Sequence, residues 1–239
     1  NMLSLIIPCF NEEKNLEKLL KNISLLIEKY SKEIIEILII DNGSTDNSRE
    51  LIYKNKLFLD DKIKLVKIEK NIGYGNGIYK GILSSKGDFI AWCHADLQTD
   101  PHDVVDIFLK SKNKLSNENC VVKGKRKNRS FFDIFFTFGM SLITLMLFRH
   151  FLSDINAQPK IFKKELKDKL ANSPKDFSFD LYFLLIAKKE NLKIYEFPII
   201  WHKRYAGEAK GGGSLKLKIK LTLRTLNFMY KLKKDPEWN

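Results

Sequence analysis

Leu3-Ser4-Leu5-Ile6-Ile7-Pro8-Cys9-Phe10-Asn11-Glu12-Glu13 sets a pattern that the first half of the chain repeats, a short apolar run followed by a polar loop. Residues 34–40 lead into Asp41-Asn42-Gly43-Ser44, and residues 89–92 lead towards His94-Ala95-Asp96-Leu97-Gln98. With the runs at 63–68 and 120–122, most of them rich in Ile, Val or Leu, they predict buried parallel strands. Leu16, Leu19, Leu20, Ile23 and Ile27 recur at three- and four-residue spacing and predict a helix with one buried face. Pro101 suits the first turn of another helix, which carries Val104, Val105, Phe108 and Leu109. The alternation predicts an α/β domain, a mostly parallel sheet flanked by helices on both faces. Ligands of such sheets sit beyond the carboxyl ends of the strands, so the three polar loops should converge on one edge.

The remaining composition fits this picture. At 239 residues the chain can form one substantial core, and its 44% hydrophobic and 30% charged residues describe a folded soluble protein. The net charge of +13 favours anionic partners: nucleic acid, anionic lipid or a phosphorylated substrate. The charge is dispersed and no recognition motif accompanies it, which argues against nucleic acid. Cys9, Cys93 and Cys120 are odd in number and lie in or beside apolar runs, as free thiols of a reducing compartment do. No secretory signal is read at the start, so a cytoplasmic location is expected.

The pattern changes after about residue 128. Residues 131–152 are rich in Phe, Leu and Met and admit two readings, a core helix pair or two helices lying in a membrane interface beside Lys125, Arg126, Lys127 and Arg129. The uncharged stretch at 134–148 falls short of the roughly 20 residues of a transmembrane helix, so peripheral attachment is expected. Gly211-Gly212-Gly213 precedes a basic segment at 215–234 whose opening alternates like a strand, while Leu215, Ile219, Leu223, Leu226 and Tyr230 fit one helical face; its length favours helix. The expected organisation is therefore a sheet domain at 1–128, an acceptor-binding region at 129–210 and a basic amphipathic tail at 211–239.

Four motifs in order carry a family resemblance: the opening at 3–13, Asp41-Asn42-Gly43-Ser44-Thr45-Asp46, Asn71-Ile72-Gly73-Tyr74-Gly75-Asn76-Gly77, and His94-Ala95-Asp96-Leu97-Gln98. The chain resembles family 2 glycosyltransferases of the GT-A fold, and within them the dolichol-phosphate mannose synthase and polyprenyl-phosphate glycosyltransferase group. The likeness is good over 3–126 and looser at 154–162 and 194–210, where Arg204 to Lys210 resembles that group's Arg-containing loop. It implies an inverting transfer of a sugar from a UDP- or GDP-linked donor to a polyprenyl phosphate, at the inner face of the cell membrane. Two alternatives stay open: transfer to a sugar hydroxyl in polysaccharide or lipid-linked glycan assembly, and a catalytically silent nucleotide-sugar-binding protein.

Site residues follow from resemblance and chemistry together. Pro8, Asn11 and Glu12 are expected to line a nucleotide pocket with Asp41, whose carboxylate could accept from base or ribose. As a polar strand-end residue, Asp41 is expected to matter little for stability. Gly73 and Gly75 would let backbone approach the ligand closely. The cluster after the fourth strand is expected to hold Mg²⁺ or Mn²⁺ on the diphosphate through His94, Asp96 and Gln98. Here His94 stands where the family has the first Asp of Asp-x-Asp. Arg126, Arg204 and Lys210 would orient anionic partners, with Asp96 and Arg204 in the chemistry. A hydroxyl acceptor would need a base, for which Asp154 and Asp180 are the candidates; Asp154 stands where the group has an acidic residue, although Asn156-Ala157-Gln158-Pro159 departs from the family's Ser-Gly-Phe.

Overall fold

Seven strands build one sheet in the order β3-β2-β1-β4-β6-β5-β7. The computed structural model describes residues 2–207 and 215–238, so Lys210 and the Gly211-Gly212-Gly213 hinge lie outside the described residues. In chain order the elements are β1 (Leu3–Cys9), α1 (Glu13–Tyr30), β2 (Ile34–Asn42), α2 (Ser48–Tyr53), β3 (Ile63–Ile68), α3 (Tyr74–Ser84) and β4 (Phe89–Trp92). They continue with α4 (Pro101–Asn117), β5 (Cys120–Lys127), α5 (Phe131–Phe148), β6 (Lys160–Lys163), α6 (Phe179–Lys189), β7 (Lys193–Ile200) and α7 (Leu215–Lys234).

All five expected strands form, and β2 pairs in parallel with β1 and β3. β6 runs antiparallel between β4 and β5, while β7 joins β5 in parallel. Both β6 and β7 come from the 129–210 segment and hydrogen-bond into the same sheet. Helices cover both faces. Leu16, Leu19, Leu20 and Ile23 of α1 join Val104, Val105 and Phe108 of α4 on one side. On the other, Ile78 and Ile82 of α3 meet Phe179 and Phe183 of α6, with Trp92 edge-on to Phe162, Phe179 and Phe183. Each such aliphatic or aromatic side chain adds roughly 1.5–3 kcal/mol by leaving water.

Residues 131–152 form one helix rather than a pair: α5 ends at Phe148, and Arg149 takes the left-handed conformation that stops it. Neither expected reading of the segment describes α5 alone. Ser141 and Thr144 are buried and Ser141 Oγ donates to the Leu152 carbonyl, while Phe131, Phe132, Phe135 and Met146 are largely exposed. By length and composition α5 is long and apolar enough to cross a membrane, with 11% of it buried. The basic segment is helical, as its length suggests, and Lys218 of α7 pairs with Asp133 of α5 at 2.7 Å.

Candidate active site

Strand order reverses direction between β1 and β4, because β2 and β3 lie on one side of β1 while β4 and later strands lie on the other. A crevice opens at such a point beyond the carboxyl ends. Here it is a cavity of about 450 Å³, within the size range of small-ligand sites. Pro8 and Glu12 reach it from the β1 loop, His94, Asp96 and Gln98 from the β4 loop, and Arg126 from the end of β5. The convergence expected of the polar loops is met.

Arg204 lines the cavity and bridges two of its loops. Its Nη1 donates to Asp96 Oδ2 at 2.9 Å, and its Nη2 donates to Glu12 Oε1 and Oε2 at 2.8 and 2.6 Å. The segment carrying it is pinned across the β4 loop, since the His202 amide donates to the Gln98 carbonyl at 3.0 Å. Asp96 Oδ1 accepts from the Gln98 amide at 3.1 Å. His94 stacks on Tyr74 with ring centroids 5.4 Å apart, and Tyr74 stacks in turn on Phe177 at 4.9 Å. Among the described residues no three His, Cys, Asp or Glu side chains gather to hold an ion alone. One carboxylate, one imidazole and one amide on a single cavity wall nevertheless fit a divalent cation that takes its remaining ligands from a diphosphate and water.

The residues expected to line a nucleotide pocket depart from expectation in three places. Asp41 is fully buried and lies outside the cavity lining; it accepts from the Ser44 amide at 2.9 Å and pairs with Arg49. Its neighbour Asn42 reaches the cavity instead: Nδ2 donates to the Gly73 carbonyl at 3.0 Å, while Oδ1 has no hydrogen-bond partner among the described residues. Asn11 ties two loops together, accepting from the Thr45 amide at 2.8 Å and donating to Thr45 Oγ1 at 3.1 Å. The glycines permit close approach, but of the chain's own backbone. A Cβ on Gly73 would stand 2.1 Å from the Lys175 carbonyl, and one on Gly75 would stand 2.3 Å from that of Pro174. Gly73 still lines the cavity; Gly75 is buried behind it.

Both candidate bases are held by cations, and of the two only Asp180 lines the cavity while Asp154 lies outside its lining. Asp154 accepts from the Arg126 amide at 2.8 Å and its Nε at 2.9 Å, and from Arg129 Nη1 at 3.2 Å. Burial opposes its charge, yet hydrogen bonds and charge from Arg126, with Arg129 behind, outweigh burial and hold the carboxyl below the usual range. Asp180 lines the cavity but pairs with the fully buried Lys160 at 2.6 Å and accepts from Gln158 Nε2 at 3.0 Å. Arg126 stacks over Trp201, its guanidinium carbon 5.0 Å from the ring centroid. Asn42, Tyr74, Phe177 and Trp201 were not foreseen as lining residues; Asn42 and Tyr74 stand inside quoted motifs but beside residues with more evident chemistry, and Phe177 and Trp201 belong to no motif.

The model of Glycosyl transferase family 2 matches residues 4–143, more than half the chain, including the β1 and β4 loops of this crevice. The chain belongs to that family. Among its relatives is a human dolichyl-phosphate beta-glucosyltransferase, 27% identical over 217 residues that cover 83% of this chain and 67% of the relative. A Dictyostelium discoideum protein of the same name is 31% identical, over 83% and 66% respectively. Glucosyl-3-phosphoglycerate synthase from Mycobacterium tuberculosis, solved with Mn²⁺, UDP and phosphoglyceric acid, superposes with a TM-score of 0.73 over 98% of this chain and 79% of that one at 16% identity. A Pyrobaculum calidifontis mannosyltransferase bound to GDP-Man and Mn²⁺ reaches 0.61 over 88% and 58% at 18% identity. At those identities the likeness establishes the fold, which is GT-A as the sequence suggested. Both of these solved neighbours carry UDP or GDP-Man together with Mn²⁺ on the same fold.

Proposed function

We propose that this glycosyltransferase moves a sugar from a nucleotide diphosphate sugar to a polyprenyl phosphate at a membrane surface, with inversion at the anomeric carbon. The names of its relatives favour glucose as the sugar. The observation that carries the reading is the state of Asp154 and Asp180, each tied to a buried or half-buried cation. A hydroxyl nucleophile needs a base to take its proton, and a carboxylate locked to arginine or lysine is a poor one. A phosphate monoester is already ionised near neutral pH and needs only cations to orient it, a task that suits Arg126 and Arg204.

In the reaction a phosphate oxygen attacks the anomeric carbon as the bond to the diphosphate oxygen breaks, and the electron pair leaves with the nucleotide diphosphate. A divalent cation held by Asp96, with His94 and Gln98 beside it, would neutralise charge on that leaving group. Asn42, Pro8 and Glu12 would enclose the nucleotide, and Trp201 would hold the Arg126 side chain towards the acceptor.

The membrane reading rests on α5 and α7. The exposed Phe131, Phe132, Phe135 and Phe138 of α5 adjoin an exposed α7 face that mixes Ile219, Leu223 and Tyr230 with Lys216, Lys220 and Arg224. Apolar rings beside cations suit an anionic lipid interface. Leu221 and Thr225 of α7 also line the cavity, so the acceptor's lipid would arrive at its mouth. α5 is held along one side by Ser141, Thr144 and the Arg129 bond to the Asp133 carbonyl at 2.8 Å. These contacts to the rest of the fold support a helix that lies along the membrane surface, and peripheral attachment on the cytoplasmic side is part of the proposal. The test is a screen of UDP-glucose and GDP-mannose against a short polyprenyl phosphate with Mg²⁺ or Mn²⁺. Metal-dependent formation of the glycosyl phospholipid is expected, and donor binding without any transfer would favour the silent binding protein.

A further inference from the structure

We propose that Arg204 is a latch that holds the ligand-free site shut by occupying the carboxylate the metal needs, so that the donor complex must displace it before an acceptor phosphate can be captured. This rests on the reading of Asp96 as the metal ligand. Arg204 sits between two acidic groups on different strand-end loops, Glu12 after β1 and Asp96 after β4, with only 13% of its side chain exposed. Its guanidinium fork satisfies both at once, a geometry Lys cannot reproduce. The segment is preformed for this: Arg204 Nε donates to the Ala206 carbonyl at 2.8 Å, and the Ala206 amide donates to Asn15 Oδ1 at 3.0 Å.

A divalent cation on Asp96 competes with that arrangement, because Arg204 already holds Oδ2, the Gln98 amide holds Oδ1, and the guanidinium repels the ion. Ion and arginine therefore exchange. Donor diphosphate brings the compensating negative charge, and the released guanidinium has an anion within reach in the same cavity. Binding thus acquires an order, metal and donor first and acceptor phosphate second, from one side chain changing partners.

The test measures Mn²⁺ affinity of the full chain in the presence of UDP, by loss of the free-ion electron paramagnetic resonance signal. Arg204→Gln is expected to bind Mn²⁺ about fivefold more tightly than wild type, the factor that corresponds to about 1 kcal/mol for an ion pair. Arg204→Lys, which keeps the charge but loses the fork, gains by a smaller factor. Lys203→Gln removes an exposed charge one residue away and matches wild type. An equal gain in Lys203→Gln, or no gain in either Arg204 variant, overturns the latch. Asp96→Asn separates the two levels of the argument. If it loses the ion while Arg204→Gln matches wild type, the metal reading stands and the latch alone falls. If Asp96→Asn binds Mn²⁺ like wild type, the ion sits elsewhere and both fall.

Discussion

Arg126 grips Asp154 through its backbone amide at 2.8 Å, through Nε at 2.9 Å and through Nη2. The two residues lie 28 positions apart, one at the end of β5 and the other in the loop before β6, so the grip ties that loop to the sheet beside the cavity-lining Arg126.

Replacing Asp154 with Asn should therefore cost stability, about 3–5 kcal/mol, because Arg126 and Arg129 lose their shared counter-charge in a half-buried site. The pH dependence has a defined sign. The carboxyl is held below its unfolded value, so its contribution is complete above about pH 4 and is lost as pH falls through the folded value. Urea unfolding of both proteins between pH 3 and 7 checks this: the gap should narrow on the acid side.

Asp41→Ala should destabilise the fold as well as the nucleotide site. The residue is fully buried, accepts from the Ser44 amide and pairs with the partly exposed Arg49, so its removal costs about 1–3 kcal/mol, chiefly from the buried hydrogen bonds it leaves unmade. The sequence reading assigned it little structural weight. Calorimetry should find a lower unfolding temperature, together with UDP affinity reduced only as far as loop 41–46 loosens.

Lys123 provides an alkaline counterpart. It is 2% exposed beside Glu196, and burial pushes its ammonium down to about 8. Below that pH both folded and unfolded forms carry the proton. Between about 8 and the unfolded value near 10.4 only the unfolded chain does, so native stability contributed by this group rises with pH. Relative to Lys123→Met, wild type should gain up to about 3 kcal/mol between pH 7.5 and 10. A flat difference would mean the amine stays charged.

Much of this was legible beforehand, for reasons particular residues make clear. β1 and β2 are mostly apolar because both faces of the sheet are covered, Ser4 and Glu36 being buried against each other, and the loops that follow announce the crevice. β6 was hidden: Lys160-Ile161-Phe162-Lys163 is short and carries a lysine at each end, and Asp180, which neutralises Lys160 inside the fold, lies 20 residues on. Asp41 was assigned to the ligand because its partner, Arg49, lies eight residues away in a helix with no motif of its own. Asn42 reaches the ligand's side only because α3 carries Gly77, where a Cβ would stand 2.9 Å from its amide nitrogen.

Membrane attachment should depend on aromatic side chains of α5 and not on charge alone. Phe135→Ser with Phe138→Ser removes two exposed rings, each worth roughly 1.5–3 kcal/mol when buried in an apolar phase. Sedimentation with anionic vesicles should fall at least about tenfold, while thermal stability stays within about 0.5 kcal/mol because neither ring packs in the core. High salt should weaken wild-type binding through the α7 cations without abolishing it. Unchanged sedimentation of the double variant would remove α5 from the interface.

The most direct test of the central claim compares one polyprenyl chain as its phosphate and as its free alcohol, with UDP-glucose, GDP-mannose and Mn²⁺ supplied. Because Asp154 and Asp180 are locked to cations, the account predicts rapid sugar transfer to the phosphate and none detectable to the alcohol. Equal transfer to both, or transfer to the alcohol alone, would contradict it and require a base that these two carboxylates do not supply.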